Sequence, residues 1–325
     1  MYTINWNIKI GKYKLKSVDS IEIERNVQKL ADTAKIEIPN TVLNSSLELE
    51  KQIKVGDPIS IQLGYNGHYR TEFEGFIQSI NTDASVLKLE CDDLLYLYKV
   101  PVIDRNYPNI SVRELLTICN IAVMEHHHKH IEVNCTYDFT YKSYTTEGNT
   151  ALDILTKIQS EAKPNIYVKG NVLHVHPKED EVFGHVTYNF EHNIESSGTD
   201  LKYKRKEDKK LQVKVKSTKT DGSTVEKVVG EKGGEIISKD IQGVEDELGL
   251  QLIANHIYDE HCYDGYEGSF NSWLEPYCDA GYVAKIIDPE QEYKAGSYYV
   301  ISVVTKVSKS GGQRKIKIGK LVDGK

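Results

Sequence analysis

The densest group of metal-ligating side chains in the sequence is EHHHKH at 125–130. On a helix, His126 and His130 would share a face at i and i+4, a spacing at which two imidazoles reach one ion. No third ligand is fixed by spacing, and VNC at 133–135 reads as strand. Consecutive histidines in a loop are solvated side chains, so no metal is expected at His126 and His130.

Carboxylates offer a second chemistry. DEHCYDGYEG (259–268) and SWLEPYCD (272–279) each hold several acids, as a glycosidase pair would require. Such a pair works only at a defined separation in space, and 48 acids make chance neighbours unavoidable. The sequence has no G-x-S-x-G, H-E-x-x-H, P-loop or dinucleotide fingerprint. GEKGGE (230–235) and KSGGQR (309–314) are glycine-rich but lie between β runs, which makes them hairpin turns rather than phosphate cradles. Trp273 has a face on which a sugar or base could stack; the reading preferred is packing against nearby strands. The basic run KYKRKEDKK (202–210) mixes in acids and reads as a solvated strand and turn. No catalytic residue, cofactor or metal is expected, and the chain reads as non-enzymatic.

The elements that carry these residues are mainly β. Composition is that of a water-soluble globular protein, 39% hydrophobic and 27% charged, and its net charge of −7 lacks the basic excess of a general nucleic-acid binder. Apolar runs are too short to span a membrane, and MYTINWNIKIGKYKLK alternates like a strand instead of a secretory signal. Five cysteines without a CxxC pair predict folding in a reducing cytosol. The 21 tyrosines against 6 phenylalanines suit strand faces that are half wet or buried between subunits.

Period-two alternation marks 21–25 (IEIER), 35–38 (KIEI), ISIQL after Gly56-Asp57-Pro58, FEGFIQSI and VLKLEC. From about 101 the period lengthens. Ser111 and Glu114 form a capping box ahead of Val112, Leu115, Leu116 and Cys119; Thr150 and Asp153 precede a second stripe, which Pro164 ends. NIYVKGNVLHVHP turns at Gly170-Asn171 as a hairpin. Residues 101–185 thus form an α/β insert between a β region at 1–100 and a second at 186–325, the latter with a helix at 245–262.

Two stretches share a plan. VGDPISIQL, FEGFIQSI and VLKLEC run in the order that AGYVAKII, GSYYVISVV and RKIKIG follow near the end: a glycine turn, a strand, a glycine-led strand and a third alternating strand. Order and approximate spacing agree, which predicts a duplicated small barrel.

VQKLADTAKIEIPN, VGDPISIQLGY, FEGFIQSI and LECDDLLYLYK together resemble the baseplate hub proteins of phage tails, the late-control protein D group, to which the hub part of type VI secretion spikes is related. TALDILTKIQSEAKPNIYVKGNVLHVHP resembles that family's helix-then-hairpin element, and NIESSGTDLKYKRKEDKKLQVKVKS the strands that follow. GSFNSWLEPYCDAGYVAKIID and YYVISVVTKVSKSGGQRKIKIG resemble its second barrel. The resemblance implies a mainly β chain with two similar small barrels and an α/β module, three copies of which close into a ring with pseudo-six-fold symmetry. The family's first barrel can borrow strands from after the insert, which makes 186–218 its candidate completion.

The implied role is a structural hub that joins a six-fold tail tube to a three-fold spike or tip, assembled in the host bacterial cytoplasm and carried in the virion baseplate. Implied partners are two further copies of the chain, a tail tube protein, a spike or tail-tip protein and a tape-measure protein. DNA passes through without specific binding, no part inserts into a membrane, and the α/β insert lies outside the ring. Because the sequence stops soon after QRKIKIG, a needle or cell-wall enzyme is expected on a separate polypeptide. A low-friction channel needs neutral or acidic walls, so Lys202, Lys204 and Arg205 are expected to face a neighbour or solvent. The rival readings are a tail-tip carbohydrate-binding adhesin, suggested by the tyrosines and Trp273, and a tail-associated cell-wall hydrolase, suggested by the loose carboxylates and histidines.

Overall fold

The computed structural model describes residues 3–39, 49–83, 86–177, 181–219, 221–242, 244 and 246–323. Among them no helix is long and apolar enough to cross a membrane. The first β unit comprises β1 (Ile4–Ile10), β2 (Tyr13–Lys14), β3 (Ser20–Asn26), β4 (Thr33–Pro39), β5 (Pro58–Tyr65), β6 (His68–Asp83) and β7 (Val86–Asp92), with a one-turn helix α1 (Leu49–Gln52) before β5. Its ladder runs β3-β4-β7-β6-β5-β1-β2. Alternation puts Ile8, Ile21, Ile36, Ile61 and Leu89 from five strands into one core, so the sheet curls around them. Each such buried side chain contributes about 1.5–3 kcal/mol.

The second β unit comprises β13 (Gly184–Asn189), β14 (Glu195–Lys204), β18 (Gly265–Ser272), β19 (Tyr282–Ile287), β20 (Gly296–Ser308) and β21 (Gly311–Asp323). Its ladder runs β14-β18-β21-β20-β19-β13 around Tyr188, Phe270, Val303 and Ile316. The two units join where β20 pairs with β3, from Ser302 opposite Asn26 to Ser308 opposite Ser20.

Superposing the ladders reveals a duplication at single-residue register. β3, β4, β7, β6 and β5 correspond to β14, β18, β21, β20 and β19 in order. Gly56, at φ 91°, donates its N–H to Ile77 O at 2.8 Å; Gly281, at φ 80°, donates to Val300 O at 2.9 Å. Both glycines need that left-handed backbone, where a Cβ is strained. Pro58, two residues on, pairs with Phe76, and Val283 pairs with Tyr299. Each long strand then bulges at the matching place, between Ile77 and Ser79 and between Val300 and Ser302. FIQSINTD (76–83) therefore overlies YVISVVTK (299–306). One pairing differs in direction, for β1 lies antiparallel to β5 whereas β13 lies parallel to β19, and β14–β18 and β18–β21 carry bulges that β3–β4 and β4–β7 lack.

The α/β module holds β8 (Asn106–Ser111), α2 (Val112–His127), β9 (Glu132–Cys135), β10 (Thr140–Thr145), α3 (Ala151–Ala162), β11 (Asn165–Lys169) and β12 (Val172–His176). Both helices begin with complete capping boxes, Ser111 with Glu114 and Thr150 with Asp153. The module also takes β15 (Leu211–Thr218), β16 (Thr224–Gly230), β17 (Glu235–Gln242) and α4 (Glu247–His261), whose Leu211, Val213, Ile241, Leu250 and Ile253 share its core with Leu116 and Ile154.

The structure departs from the sequence expectations at three places. Residues 186–218 do not complete the first barrel, because β13 and β14 pair inside the second unit and β15 joins the module. The second β region is not continuous over 186–325, since 205–264 leaves it for the module. The apolar stripe of α4 needs a cover, and the alternating face of β15 supplies it; alternation alone does not say which sheet a strand enters. GEKGGE is no hairpin turn either: β15 lies between β16 and β17, so this stretch carries the chain past the end of β15. KSGGQR does connect the paired strands β20 and β21.

Candidate functional site at the junction of the two β units

Beside the β3–β20 seam, charged side chains from three parts of the chain converge in the interior. Arg25 stands on β3 in phase with Ile21 and Ile23, so alternation turns it inward; Arg314 on β21 is in phase with Ile316 and Ile318. Glu72 on β6 meets both. Its Oε1 accepts from one Arg314 terminal nitrogen at 2.6 Å, and its Oε2 accepts from the other at 3.0 Å and from Arg25 at 2.9 Å. Arg314 also donates to Leu274 O at 2.9 Å and Thr305 Oγ1 at 2.7 Å. Arg25 donates to the Tyr277 hydroxyl at 2.8 Å, and its Nε faces Asp279 Oδ1 at 3.3 Å as an ion pair without hydrogen-bond alignment. Lys169, on β11 of the module, reaches Asp279 Oδ2 at 3.2 Å.

Burying an ion costs several kcal/mol, which only close and well-hydrogen-bonded partners offset. The forked Arg314–Glu72 contact is of that kind. Burial alone would lower the pKa of Arg25, but Asp279, Tyr277 and Glu72 outweigh it and hold the guanidinium above its ordinary value. Burial likewise pushes Asp279 up, yet Arg25 and Lys169 reverse this and keep it below the usual carboxylate range. Three cations and two carboxylates thus tie the first unit, the second unit and the module to one another.

Arg25, Glu72, Lys169, Tyr277 and Asp279 line a cleft of about 600 Å³ together with Asp32 and Asp93. Asp93 Oδ2 accepts the Asp32 N–H at 3.1 Å. Burial pushes Asp32 up to about 6, opposed by the Asn26 N–H and reinforced by Asp279; burial and Asp32 raise Asp93 well above its ordinary value. An acid whose folded pKa exceeds its unfolded value of about 4 binds more protons when folded, so Asp32 withdraws stability as pH rises from about 4 to about 6, and the whole penalty stands above that. Asparagine keeps an oxygen for the Asn26 N–H, now 2.9 Å from Oδ1. Asp32→Asn is therefore expected to raise the melting temperature by a few degrees at pH 7.5 and to leave it nearly unchanged at pH 4.5. Thermal unfolding at the two pH values checks this; a lower melting temperature at pH 7.5 would contradict it.

The residues singled out by sequence chemistry do not gather here, Asp279 excepted. α2 continues through His126 and His127 and ends at a left-handed His128, so the histidine run is half helix rather than loop. That end places His130 beyond the helix, and His126 Nδ1 lies 2.9 Å from Ala122 O. Among the described residues no three His, Cys, Asp or Glu side chains are grouped to hold a metal. Glu267 pairs with Lys204 at 2.9 Å, and Asp264 accepts the Lys206 N–H at 2.9 Å. Arg205 faces Glu207 at 3.3 Å and Asp208 at 3.4 Å, while Lys202 is exposed. Trp273 departs from expectation: it is 55% exposed, beside a shallow cleft that Glu22, Glu195 and Gln313 also line. All five cysteines are buried free thiols.

Two β units in tandem, seamed by β3 and β20 and carrying an α/β module, define the fold seen in phage tail proteins and in the related secretion-spike group. A tail protein from Neisseria meningitidis MC58 superposes with a TM-score of 0.66 at 13% identity, over 97% of this chain and 96% of that one. The 43 kDa tail protein of prophage MuSo2 from Shewanella oneidensis gives 0.66 at 13%, over 98% of both chains. A type VI secretion system component from E. coli gives 0.62 at 10%, over 98% of this chain and 78% of that one. No protein-family sequence model and no curated protein sequence matches the chain.

Proposed function

We propose that this chain is a structural, non-enzymatic baseplate hub of a phage tail or related injection machine. Three copies close into a ring of six β units, which offers quasi-six-fold symmetry to a tail tube protein and three-fold symmetry to a spike or tip. The observation that carries this reading is the duplication at single-residue register. A chain that repeats one unit twice doubles the rotational order of whatever ring it forms, so a trimer acquires six similar wall segments. The buried clamp of Arg25, Glu72, Arg314 and Asp279 supports it, because it fixes the angle between the units on which closure depends.

In the assembled particle the module stands outside the ring, and tape-measure protein and DNA pass through the bore. The acidic partners of Lys204 and Arg205 favour a wall that does not grip DNA, since paired cations release few counterions. The protein resides in the virion baseplate and is put together in the host bacterial cytoplasm. Sedimentation velocity tests the ring: the 36.9 kDa chain is expected to sediment as a single species of three copies. A monomer at every concentration would refute it.

A further inference from the structure

Resting on the ring reading, we infer that neighbouring copies are joined by β14 of one pairing with residues 79–83 of β6 in the next, a β-strand seam that repeats the internal β3–β20 junction. In the second unit, residues 302–308 of β20 pair with β21 on one side and with β3 on the other. In the first unit, the matching part of β6 pairs, among the described residues, with β7 alone, because β5 leaves β6 at Phe76. At the opposite end of the sheet β14, the counterpart of β3, pairs with β18 alone among the described residues. Each copy therefore presents two open strand edges, and each is the duplicate of an edge that is paired inside the chain. Open edges of this kind recruit strands.

The register follows from the duplication. Ser302 opposite Asn26 and Val304 opposite Glu24 become Ser79 opposite Lys204 and Asn81 opposite Lys202 of the next copy. Burial agrees with an uncovered seam. Val303, Thr305 and Ile23 are buried at the internal junction, whereas their counterparts Ile80, Thr82 and Leu201 are half-buried or exposed. A second copy is the occupant this geometry selects, since β14 and β6 of one chain are each other's missing partners and the joint is head-to-tail, as a ring requires.

Disulfide trapping tests the seam. Asn81 and Lys202 are exposed, so cysteine at either leaves the fold intact, and the native thiols are buried. Directly opposed strand residues sit within disulfide reach, while a shift of one residue turns a side chain to the other face. Oxidised Asn81→Cys/Lys202→Cys is expected to run as a covalent trimer on denaturing gels. Each single variant should give none, and Thr82→Cys/Lys202→Cys less by on the order of tenfold. If sedimentation shows a trimer but Asn81→Cys/Lys202→Cys traps no better than the shifted pair, the seam is wrong and the ring stands. A monomer by sedimentation, with no trapping, overturns both.

Discussion

Replacing Glu72 by alanine is expected to be the most damaging single change in this protein, costing about 3–5 kcal/mol of stability. The carboxylate is almost wholly buried and serves two buried guanidiniums at once. Without it Arg314 keeps Leu274 O and Thr305 Oγ1 but no counter-charge, and Arg25 keeps the Tyr277 hydroxyl with Asp279 as its counter-charge. Glu72→Gln preserves shape and one acceptor, so its loss should be smaller. Replacing Arg25, Glu72 and Arg314 together by apolar residues should recover much of the stability, because no charge is then stranded. Urea denaturation measures all three. A Glu72→Ala loss below about 1 kcal/mol would mean that solvent reaches the cluster and that the clamp does not set the angle between the units.

The second large effect concerns the module. Excising 101–177 alone is expected to give insoluble protein, whereas excising 101–177 together with 207–263 should leave a soluble ring. The first excision strips the cover from Leu211, Val213, Leu250 and Ile253, all fully buried in the shared core. Each exposed side chain of this size forfeits about 1.5–3 kcal/mol, and together they form an adhesive apolar patch. The second excision removes both halves of that core apart from Leu95, Leu97, Tyr98 and Val100. Its ends already meet, since the Lys206 N–H donates to Asp264 Oδ1 at 2.9 Å, so a short linker closes the gap. Solubility and sedimentation of the two variants decide. A soluble, monodisperse product from the single excision would show that the two halves of the module fold independently.

Local chemistry made much of this fold legible. Ser111 with Glu114 and Thr150 with Asp153 each mark a helix start to the residue, because a cap is written within four positions. The glycine turns at Gly56 and Gly281 exposed the duplication, because a left-handed residue before a strand leaves a trace that little else substitutes for. What escaped was long-range choice. LQVKVKS alternates like any strand, and nothing within it says that α4, rather than a barrel, receives its apolar face. The clamp was half visible: Arg25 and Arg314 each sit in phase with two inward isoleucines, a signal for a buried cation. Its anion was hidden, for Glu72 lies in a strand whose bulges break the alternation, and Asp279 lay among acids with no pattern. The histidine run misled through its composition, since the helix end at His128 depends on a left-handed turn that the residue types did not announce.

Projection images of the purified oligomer test the central claim most directly. Viewed along its axis, the particle should show a closed ring of six similar wall segments around an open bore, with three outlying lobes where the modules project. A ring of three undivided segments, an open chain of copies or a particle without a bore would contradict it.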